Sequence, residues 1–264
     1  MLRGSIKQLT PKSSMKNWFL ALALLVATGA MAQPKVIAHR GHWTAEGSAQ
    51  NSLTSWSEAD RVGCYGSEFD VWLTGDDRLV VNHDRVQKGT DIDMTTASAR
   101  TIRKIILPNG EPIPTLDAYL RLAKSTPATR LILELKTHPF VREDLAVKKI
   151  VRRLRRLDLL ERTDFISFSL NACLAFRKAL PEARIYYLTG DVPPKAIKNL
   201  GLTGIDYSFG VLSQHPEWIA EAHALGLEVN VWTVNKEEDL RQCIAWGVDY
   251  ITTDYPERLQ SLLK

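Results

Sequence analysis

Imidazole, guanidinium, ammonium and carboxylate side chains stand at the ends of apolar runs in this 264-residue chain. Imidazoles exchange protons near neutral pH, and carboxylate oxygens are ligands for hard cations. Arginine and lysine can hold phosphate oxygens, arginine through two parallel hydrogen bonds. The combination predicts metal-assisted cleavage of a phosphodiester. The residues concerned are His39, Arg40, Glu68, Asp70, His83, Glu134 and Lys136.

Apolar runs alternate with amphipathic runs from about residue 35 to the end of the chain. The runs that predict strands are Val36–His39, Ser67–Thr74, Leu79–His83, Leu131–Lys136, Phe165–Ser169, Arg184–Thr189, Gly204–Phe209, Glu228–Val234 and Tyr250–Thr253. The runs with helical periodicity include Leu53–Arg61, Thr115–Lys124, Asp144–Leu157, Ala172–Leu180, Pro216–Leu225 and Glu237–Trp246. Repeated strand–helix units predict a parallel sheet covered by helices.

Nine predicted strands are one too many for an eight-stranded barrel, and the second and third resolve the excess. Only residues 75–78 separate them, and a connection that short joins antiparallel strands. We therefore predict an α/β fold, a (β/α)₈ TIM barrel, with Leu79–His83 as a short hairpin arm outside it. A turn centred on residues 75–78 pairs His83 with Asp70, and a turn one residue earlier pairs it with Glu68. Either register places His83 on the face of both carboxylates.

Two charged stretches lie outside the predicted strands. Residues Gln87–Glu111 are polar and weakly patterned, and they predict a small surface insertion on the catalytic face. The helix Asp144–Leu157 carries the basic pairs Lys148-Lys149, Arg152-Arg153 and Arg155-Arg156 between apolar residues at helical spacing. This pattern is typical of the solvent-facing side of an outer helix, with a phosphate or partner site as the alternative.

The first 32 residues predict a secretory signal peptide. Lys12 and Lys16 precede the apolar run Trp18–Ala27, and Ala30-Met31-Ala32 supplies a cleavage site. The apolar run is shorter than the ~20 residues that a membrane-spanning helix needs. We therefore expect a mature domain of residues 33–264, periplasmic or extracellular, without stable membrane insertion. An uncleaved anchor is the alternative.

Removal of this leader leaves a mature chain without net charge. Residues 1–32 hold four of the 34 basic residues and none of the 30 acidic residues, so that 30 of each remain. The basic character of the chain therefore belongs to the leader and does not predict binding to nucleic acid. Cys64, Cys173 and Cys243 are widely spaced and odd in number, which favours buried free thiols.

Glu68, Asp70 and Glu134 are predicted to meet at the mouth of the barrel. Glu68 and Asp70 point the same way from one strand, and Glu134 interrupts an apolar strand, where an unpaired charge is costly. Converging carboxylates repel one another unless a cation neutralises them, and an all-oxygen site suits Mg²⁺ or Ca²⁺ better than zinc. An ordinary ion pair of Glu134 with Lys136 is the alternative.

The ordered set of motifs resembles the glycerophosphodiester phosphodiesterase family, from about residue 35 to the C-terminus. The matching motifs are His39-Arg40-Gly41, Glu68-x-Asp70, His83-Asp84, Leu133–Lys136, Asn230–Val234 and Thr253-Asp254. The resemblance implies a (β/α)₈ barrel that hydrolyses small-molecule glycerophosphodiesters to glycerol 3-phosphate and an alcohol. It also implies a divalent cation as cofactor, Ca²⁺ or Mg²⁺.

The resemblance implies a role for each matching residue. These roles are metal binding for Glu68, Asp70 and Glu134, acid/base catalysis for His39 and His83, phosphate binding for Arg40 and Lys136, and packing against the glycerol for Trp232. A core position in an apolar strand is the alternative for Trp232. Two questions stay open: which histidine is the acid, and whether water attacks directly or a glycerol hydroxyl first forms a cyclic phosphate.

One position departs from the family pattern. Where the family has Glu-Asn-Thr shortly after its His-Arg-Gly, this chain has Gln50-Asn51-Ser52. Loss of that acid makes the predicted pocket less negative. Glu46 is a candidate substitute.

Two other functions are compatible with these residues. Phospholipase C- and D-like barrels have similar histidine and carboxylate sites but act on intact lipids, and they would show an exposed apolar rim. The insertion holds Ile105-Ile106-Leu107 but is otherwise polar, which favours a soluble substrate. The other alternative is a barrel that binds phosphodiesters without cleaving them, although binding alone needs no pair of histidines.

Overall fold

The computed structural model describes Met1 and residues 33–264 of the chain. The predicted signal peptide covers residues 1–32, and all of it except Met1 lies outside the described residues. Within the described residues, no helix is long and apolar enough to cross a membrane. The architecture below is that of residues 33–264, which correspond to the predicted mature domain.

Eight parallel strands close into a barrel, which confirms the predicted fold class. The strands of the chain are β1 (Lys35–Ala38), β2 (Gly66–Leu73), β3 (Leu79–Val81), β4 (Arg130–Leu135), β5 (Thr163–Ser167), β6 (Arg184–Tyr187), β7 (Gly204–Ser208), β8 (Glu228–Trp232) and β9 (Tyr250–Thr253). β1 pairs with both β2 and β9 and so closes the barrel. β3 pairs antiparallel with β2 and forms the predicted arm outside the barrel.

Helices follow the barrel strands. They are α1 (Leu53–Arg61), α2 (Ala99–Ile102), α3 (Leu116–Ser125), α4 (Phe140–Leu157), α5 (Leu170–Ala179), α6 (Pro194–Asn199), α7 (Phe209–Gln214), α8 (Glu217–Ala224), α9 (Glu237–Trp246) and α10 (Pro256–Leu262), with a 3₁₀ turn at Leu160–Arg162. α4 begins four residues before its predicted start, because Glu143 in its first turn accepts the N–H of His138. The short helices α2, α6, α7 and α10 lack enough turns to show a clear period.

The turn between β2 and β3 sets a register that differs from both predictions. The Thr74 N–H donates to the Arg78 carbonyl over 2.8 Å, and the Asn82 N–H donates to the Asp70 carbonyl over 3.0 Å. Thr74 therefore pairs with Arg78, and the turn between them has three residues, 75–77, whereas both predicted turns have an even number. Asn82 stands opposite Asp70, and His83 follows the end of β3 instead of facing either carboxylate within the ladder.

Apolar side chains fill the space inside and around the barrel. Ile37, Ile132 and Tyr250 belong to the cluster inside it, while a larger cluster lies between the strands and the helices. The insertion that follows the arm has a core of its own, in which Met94 and Ile102 are fully buried. It is therefore better packed than its polar sequence predicts. All three cysteines are free and buried, as predicted.

Candidate active site

The loop after β1 turns through two residues with left-handed backbone conformations. φ is 55° at Arg40 and 77° at Gly41, where a Cβ atom would overlap the Ser55 side chain. The turn directs the Arg40 N–H to Glu68 Oε2 over 2.7 Å and the Gly41 N–H to the Glu68 carbonyl over 3.1 Å. The His-Arg-Gly segment thus holds a carboxylate of the neighbouring strand through its backbone.

Three carboxylates meet at the mouth of the barrel, as predicted. Oxygen atoms of Glu68, Asp70 and Glu134 lie within 4.8 Å of one another, and all three side chains are buried. Asp70 and Glu134 are register partners on β2 and β4, and Glu68 shares the face of Asp70 because it lies two residues earlier. Sheet register alone therefore brings together acids that are 66 positions apart in the chain.

Two cations and an amide surround the cluster. Lys136 Nζ lies 3.1 Å from Asp70 Oδ1 and 2.9 Å from Glu134 Oε1, and Arg40 Nε lies 3.8 Å from Asp70 Oδ2. Asn51 donates from Nδ2 to Asp70 Oδ2 over 2.7 Å and accepts the Asp70 N–H over 3.1 Å. The ion pair of Glu134 with Lys136, the alternative considered from the sequence, is present within the larger cluster.

The three carboxyl groups have different pKa values because their neighbours differ. Burial, followed by the charges of Asp70 and Glu134, raises the pKa of Glu68 well above its usual value. Burial and Asp70 raise the pKa of Glu134 to about 8 although Lys136 opposes the shift. Burial acts on Asp70 too, but the Lys136, His83 and Arg40 charges hold its pKa below the usual range. Asp70 is the carboxylate that these cations keep ionised.

An unpaired oxygen atom of Glu68 indicates whether a metal ion fits this cluster. Its Oε1 atom is buried and has no hydrogen-bond partner among residues 33–264. A buried carboxylate oxygen without a donor is unusual, and here it lies beside two further carboxylates. The donor set consists of oxygens alone, which suits a hard divalent cation. These residues therefore fit a metal ion bound by Glu68, Asp70 and Glu134.

His39 is oriented by an aspartate after the last strand of the barrel. Its Nδ1 lies 2.7 Å from Asp254 Oδ1, which also accepts the Trp43 indole N–H over 2.9 Å. Asn235 donates to Asp254 Oδ2 over 2.6 Å. Burial alone would raise the pKa of Asp254, but the hydrogen bonds from His39, Trp43 and Asn235 hold it below its usual value. A carboxylate on Nδ1 leaves Nε2 of His39 for proton transfer.

His83 reaches the site from the loop after β3. Its Nδ1 lies 2.7 Å from Asp84 Oδ1, and the residue lines a cavity of about 350 Å³ together with Trp43 and Asn51. Burial lowers the pKa of His83, and the neighbouring Asp70 carboxylate offsets part of that shift. His83 therefore lies close enough to Asp70 for the two charges to interact, although it follows the end of β3 and is not paired with Asp70 in the ladder.

Trp232 stands at the carboxyl end of β8, between the barrel interior and the rim. Its indole N–H donates to the Asp206 carbonyl over 2.8 Å, and its ring meets Phe168 edge-on with centroids 5.4 Å apart. The side chain is partly buried against the apolar cluster inside the barrel. The ring thus packs partly in the core, as one interpretation of the sequence had it, and lies at the mouth of the barrel, as the other requires.

Gln50, the position at which the motif resemblance is incomplete, lies beside Arg40. Gln50 Oε1 accepts a hydrogen bond from Arg40 Nη1 over 2.8 Å. Glu46, the candidate substitute for the family acid, is exposed and lines a different cavity with His42 and Tyr255. The prediction for Glu46 is therefore wrong, because the loop carries its side chain away from the three carboxylates.

Sequence reasoning missed two residues that support Lys136. His138 Nδ1 donates to the Lys136 carbonyl over 2.6 Å, and its Nε2 accepts the Leu73 N–H over 3.1 Å. Glu143 is fully buried and accepts from the His138 N–H over 3.0 Å and from Ser169 Oγ over 2.8 Å. The only signal in the sequence was an acid on an apolar helix face, and Ser169, one of its partners, comes from another strand–helix unit.

The barrel and its site define a (β/α)₈ protein with an acidic, all-oxygen cluster at the carboxyl ends of its strands, the end at which enzymes of this fold carry their active sites. The sequence pattern of the glycerophosphoryl diester phosphodiesterase family matches residues 39–258, and the chain belongs to this family. The match includes every site residue predicted above. It ends six residues before the C-terminus of the chain.

Individual relatives agree over nearly the whole domain. The chain is 27% identical over 249 residues to a glycerophosphodiester phosphodiesterase of Caldanaerobacter subterraneus, covering 87% of this chain and 97% of the relative. A crystal structure of a glycerophosphodiester phosphodiesterase from Parabacteroides distasonis is 44% identical with a TM-score of 0.85, covering 88% of this chain and 97% of that one. A phosphodiesterase of Oleispira antarctica, solved in complex with the product sn-glycerol-3-phosphate, is 26% identical with a TM-score of 0.75, covering 88% and 97%.

Proposed function

We propose that this protein hydrolyses glycerophosphodiesters to glycerol 3-phosphate and an alcohol, with a divalent cation and two histidines. The observation that carries the proposal is the buried cluster of Glu68, Asp70 and Glu134, which holds an unpartnered oxygen next to Lys136 and Arg40. The relative from Oleispira antarctica, which was solved with sn-glycerol-3-phosphate, supports the nature of the product.

The metal would be held by the three carboxylates. Ca²⁺ or Mg²⁺ bound by Glu68, Asp70 and Glu134 would neutralise phosphate charge and make a coordinated hydroxyl more acidic. The residues themselves prepare the position, because the Arg40 N–H holds Glu68 and the Asn51 side chain holds Asp70. Deprotonation of the Glu68 and Glu134 carboxyls, whose pKa values are raised, would accompany binding of the cation.

Arg40 and Lys136 would bind the phosphate oxygens. Lys136 is fixed between Asp70 and Glu134, so that its ammonium needs little reorganisation when charge develops on the phosphate. Arg40 presents a planar guanidinium that can hold two oxygens at once. Trp232, at the same end of the barrel, would pack against the glycerol carbons.

His39 and His83 would transfer the protons. Each imidazole has a carboxylate on Nδ1, Asp254 for His39 and Asp84 for His83, which leaves both Nε2 atoms for the substrate. One histidine would accept the proton of the attacking hydroxyl, and the other would protonate the leaving alkoxide. These acid and base roles apply both to direct attack by water and to attack by a glycerol hydroxyl.

A panel assay tests the proposal. We expect the purified protein to release glycerol phosphate from glycerophosphocholine, -ethanolamine, -glycerol or -inositol, and to lose this activity in EDTA. We expect His39→Ala to lower kcat by about 10² to 10⁴. Lack of chelator-sensitive release from every substrate would refute the function, and full activity of the variant would refute the assigned role. Binding without turnover would favour the phosphodiester-binding alternative.

We also propose that the protein acts outside the cytoplasm. The basic, apolar and small-residue segments of residues 12–32 support export with cleavage after residue 32. Mass spectrometry of the protein from periplasmic and culture fractions of the native host should give a mature N-terminus at Gln33. An intact N-terminus in the membrane fraction would show an anchor instead.

A second candidate function is supported by exposed apolar residues at the rim. Phe140 and Val141 are 72% and 83% exposed at the start of α4, and Phe168 is 39% exposed after β5. Both segments follow barrel strands and so lie at the end that carries the site. Such a rim fits a substrate that carries an acyl chain, in line with the phospholipase-like alternative.

The two candidates differ in their response to changes at the rim. If the substrate carries an acyl chain, Phe140→Ser/Val141→Ser should lower kcat/KM for lysophosphatidylcholine and leave glycerophosphocholine unaffected. The exposed Leu174→Ser on α5 is the control. Equal activity of all variants on the lysolipid would leave the water-soluble glycerophosphodiester as the substrate.

A further inference from the structure

A second cavity lies outside the barrel and away from the carboxylate cluster. It has a volume of about 430 Å³ and lies among the turn between β2 and β3, α2, the start of α3, and α4. We call it the basic groove. Its charged lining residues are Arg78, Arg100, Arg103, Lys149, Arg152, Arg153, Asp76, Asp77 and Asp117.

The acidic residues of the basic groove already have partners. Asp117 forms an ion pair with Arg153 at 2.7 Å, and Asp77 pairs with Arg142 of α4. Asp76 Oδ1 accepts the Ala99 N–H over 2.9 Å and so begins α2. Two of the three carboxylates are therefore paired with arginines, and Asp76 accepts hydrogen bonds from neutral groups close to Arg78.

Four cations of the lining remain without a counter-charge. Within residues 33–264, no ion pair includes Arg100, Arg103, Lys149 or Arg152. Arg78, by contrast, lies close enough to Asp76 to lower the pKa of that carboxyl. Like charges gathered around one concave space repel one another and raise the local positive potential. An anion bound in this space would relieve that repulsion. Charges on a convex, solvated helix face are screened by water and need no such anion.

The basic pairs of α4 divide between the groove and the remaining surface. Lys149, Arg152 and Arg153 line the groove, whereas Lys148 and Arg156 are exposed outside it. Residues 33–264 carry equal numbers of basic and acidic side chains, so the groove is a local concentration of charge in a neutral domain. The sequence favoured a solvated face for this helix, and the structure divides it into two parts.

We propose that the basic groove binds phosphate groups at a site separate from the catalytic carboxylates. Three of its four uncompensated cations are arginines, whose guanidinium groups bind phosphate through two parallel hydrogen bonds. A volume of about 430 Å³ accommodates a diphosphate or a phospholipid headgroup. Free phosphates and membrane headgroups offer this same chemistry, and the experiment below distinguishes the two sources.

A pair of matched double variants tests the proposal. Arg100→Gln/Arg152→Gln removes two uncompensated cations of the groove, and Lys148→Gln/Arg156→Gln removes two cations of the same domain outside it. Binding of the purified protein to inorganic diphosphate is followed by calorimetry. Binding to phosphatidylcholine vesicles with and without phosphatidylglycerol is followed by sedimentation.

We expect salt-sensitive binding of the wild type to at least one probe, weakened at least about tenfold in the groove variant and unchanged in the control. Binding to diphosphate alone would identify a free phosphate ligand, and binding to phosphatidylglycerol vesicles alone a membrane headgroup. Absence of binding to both probes, or equal loss in both variants, would overturn the proposal. Hydrolysis of a soluble glycerophosphodiester should stay unchanged in both variants, so failure of the groove is distinguishable from failure of the catalytic proposal.

Discussion

His39 Nδ1 lies 2.7 Å from Asp254 Oδ1, so the first strand of the barrel and the last meet in one hydrogen-bonded pair. β1 and β9 are neighbours in parallel register, and Ala38 pairs with Thr253 directly before the two residues. The pair therefore exists only when the barrel is closed. In this domain, closure of the barrel therefore orients the imidazole for which we propose a role in acid/base catalysis.

We expect Asp254→Asn to lower kcat about 10- to 100-fold, because the amide neither fixes the His39 tautomer nor stabilises its charged form. KM should change little, since Asp254 contacts His39, Trp43 and Asn235 and none of the proposed phosphate ligands. Steady-state kinetics on a soluble glycerophosphodiester measures both quantities.

Asp249→Asn is the matched control for this change. Asp249 also holds a histidine, with Oδ2 at 3.0 Å from His223 Nε2, but on the surface away from the site. It should leave kcat unchanged. Equal losses in both variants would mean that the effect comes from general loss of structure and not from His39.

Glu68→Gln should have opposite effects on stability with and without metal. In EDTA near neutral pH the free energy of unfolding should rise, because burial, Asp70 and Glu134 raise the pKa of Glu68, and a carboxyl group with a raised pKa in the folded state destabilises the fold above its unfolded-state pKa. Bound metal at 100 times its dissociation constant stabilises the wild type by about 2.7 kcal/mol, and the variant should lose most of this gain. Thermal melts with EDTA and with Ca²⁺ or Mg²⁺ measure both effects.

Glu143→Gln provides the comparison, because Glu143 is a buried carboxylate whose oxygens accept hydrogen bonds from His138, Ser169 and Asn171. The amide cannot accept all three bonds, so this variant should be less stable with and without metal. A Glu68→Gln protein that is destabilised in EDTA would show that this carboxylate is satisfied without a cation.

The barrel was predictable because its signals are local. Alternating strand and helix patterns and a four-residue connection after the predicted strand Ser67–Thr74 were enough to infer eight parallel strands and an arm. The carboxylate cluster followed from the side-chain period of two in β2, together with the charge in β4. Each of these arguments uses residues within one strand or one turn.

The register of the arm and the residues that position the site, such as Asp254 and Glu143, depend on contacts between parts of the chain that are far apart in sequence. The left-handed Asp77 makes the turn after β2 odd in length, which moves His83 out of the ladder that the even turns predicted. Asp254 contacts His39, and Glu143 contacts Ser169 and Asn171, across different strand–helix units. Only the closed barrel shows that Asp254 meets His39.

Gln50→Glu tests the position at which the motif resemblance is incomplete. Gln50 Oε1 lies 2.8 Å from Arg40 Nη1, so a glutamate would place a further negative charge beside the cluster. We expect the affinity for Ca²⁺ to rise severalfold, since added carboxylate charge strengthens binding of hard cations. We also expect KM to rise, because the new ion pair competes with phosphate for Arg40.

Calorimetric titration of the metal and steady-state kinetics separate the two effects, and Glu46→Gln on the exposed part of the loop is the control. A higher KM at unchanged metal affinity would place residue 50 with Arg40 alone. Unchanged values for both would show that this position does not influence the site.

Asp206 should make the stability of the barrel depend on pH. It is buried inside the barrel with one hydrogen bond to its carboxylate, from Asn230 Nδ2 at 2.8 Å, and burial raises the pKa of Asp206 to about 7. The unfolded chain has a pKa of about 3.9 at this residue. Between about pH 4 and pH 7 the unfolded state therefore releases the proton first, and stability falls as the pH rises.

Asp206→Asn keeps the acceptor for Asn230 and removes the titration. Its stability advantage over the wild type should be near zero at pH 4 and should grow to at most about 4 kcal/mol at pH 7, with no further change above that. Denaturant unfolding from pH 4 to pH 8 measures this difference. Asp144→Asn on the exposed side of α4 is the control. A difference between Asp206→Asn and the wild type that stays constant over this range would show that Asp206 is ionised throughout in the folded protein.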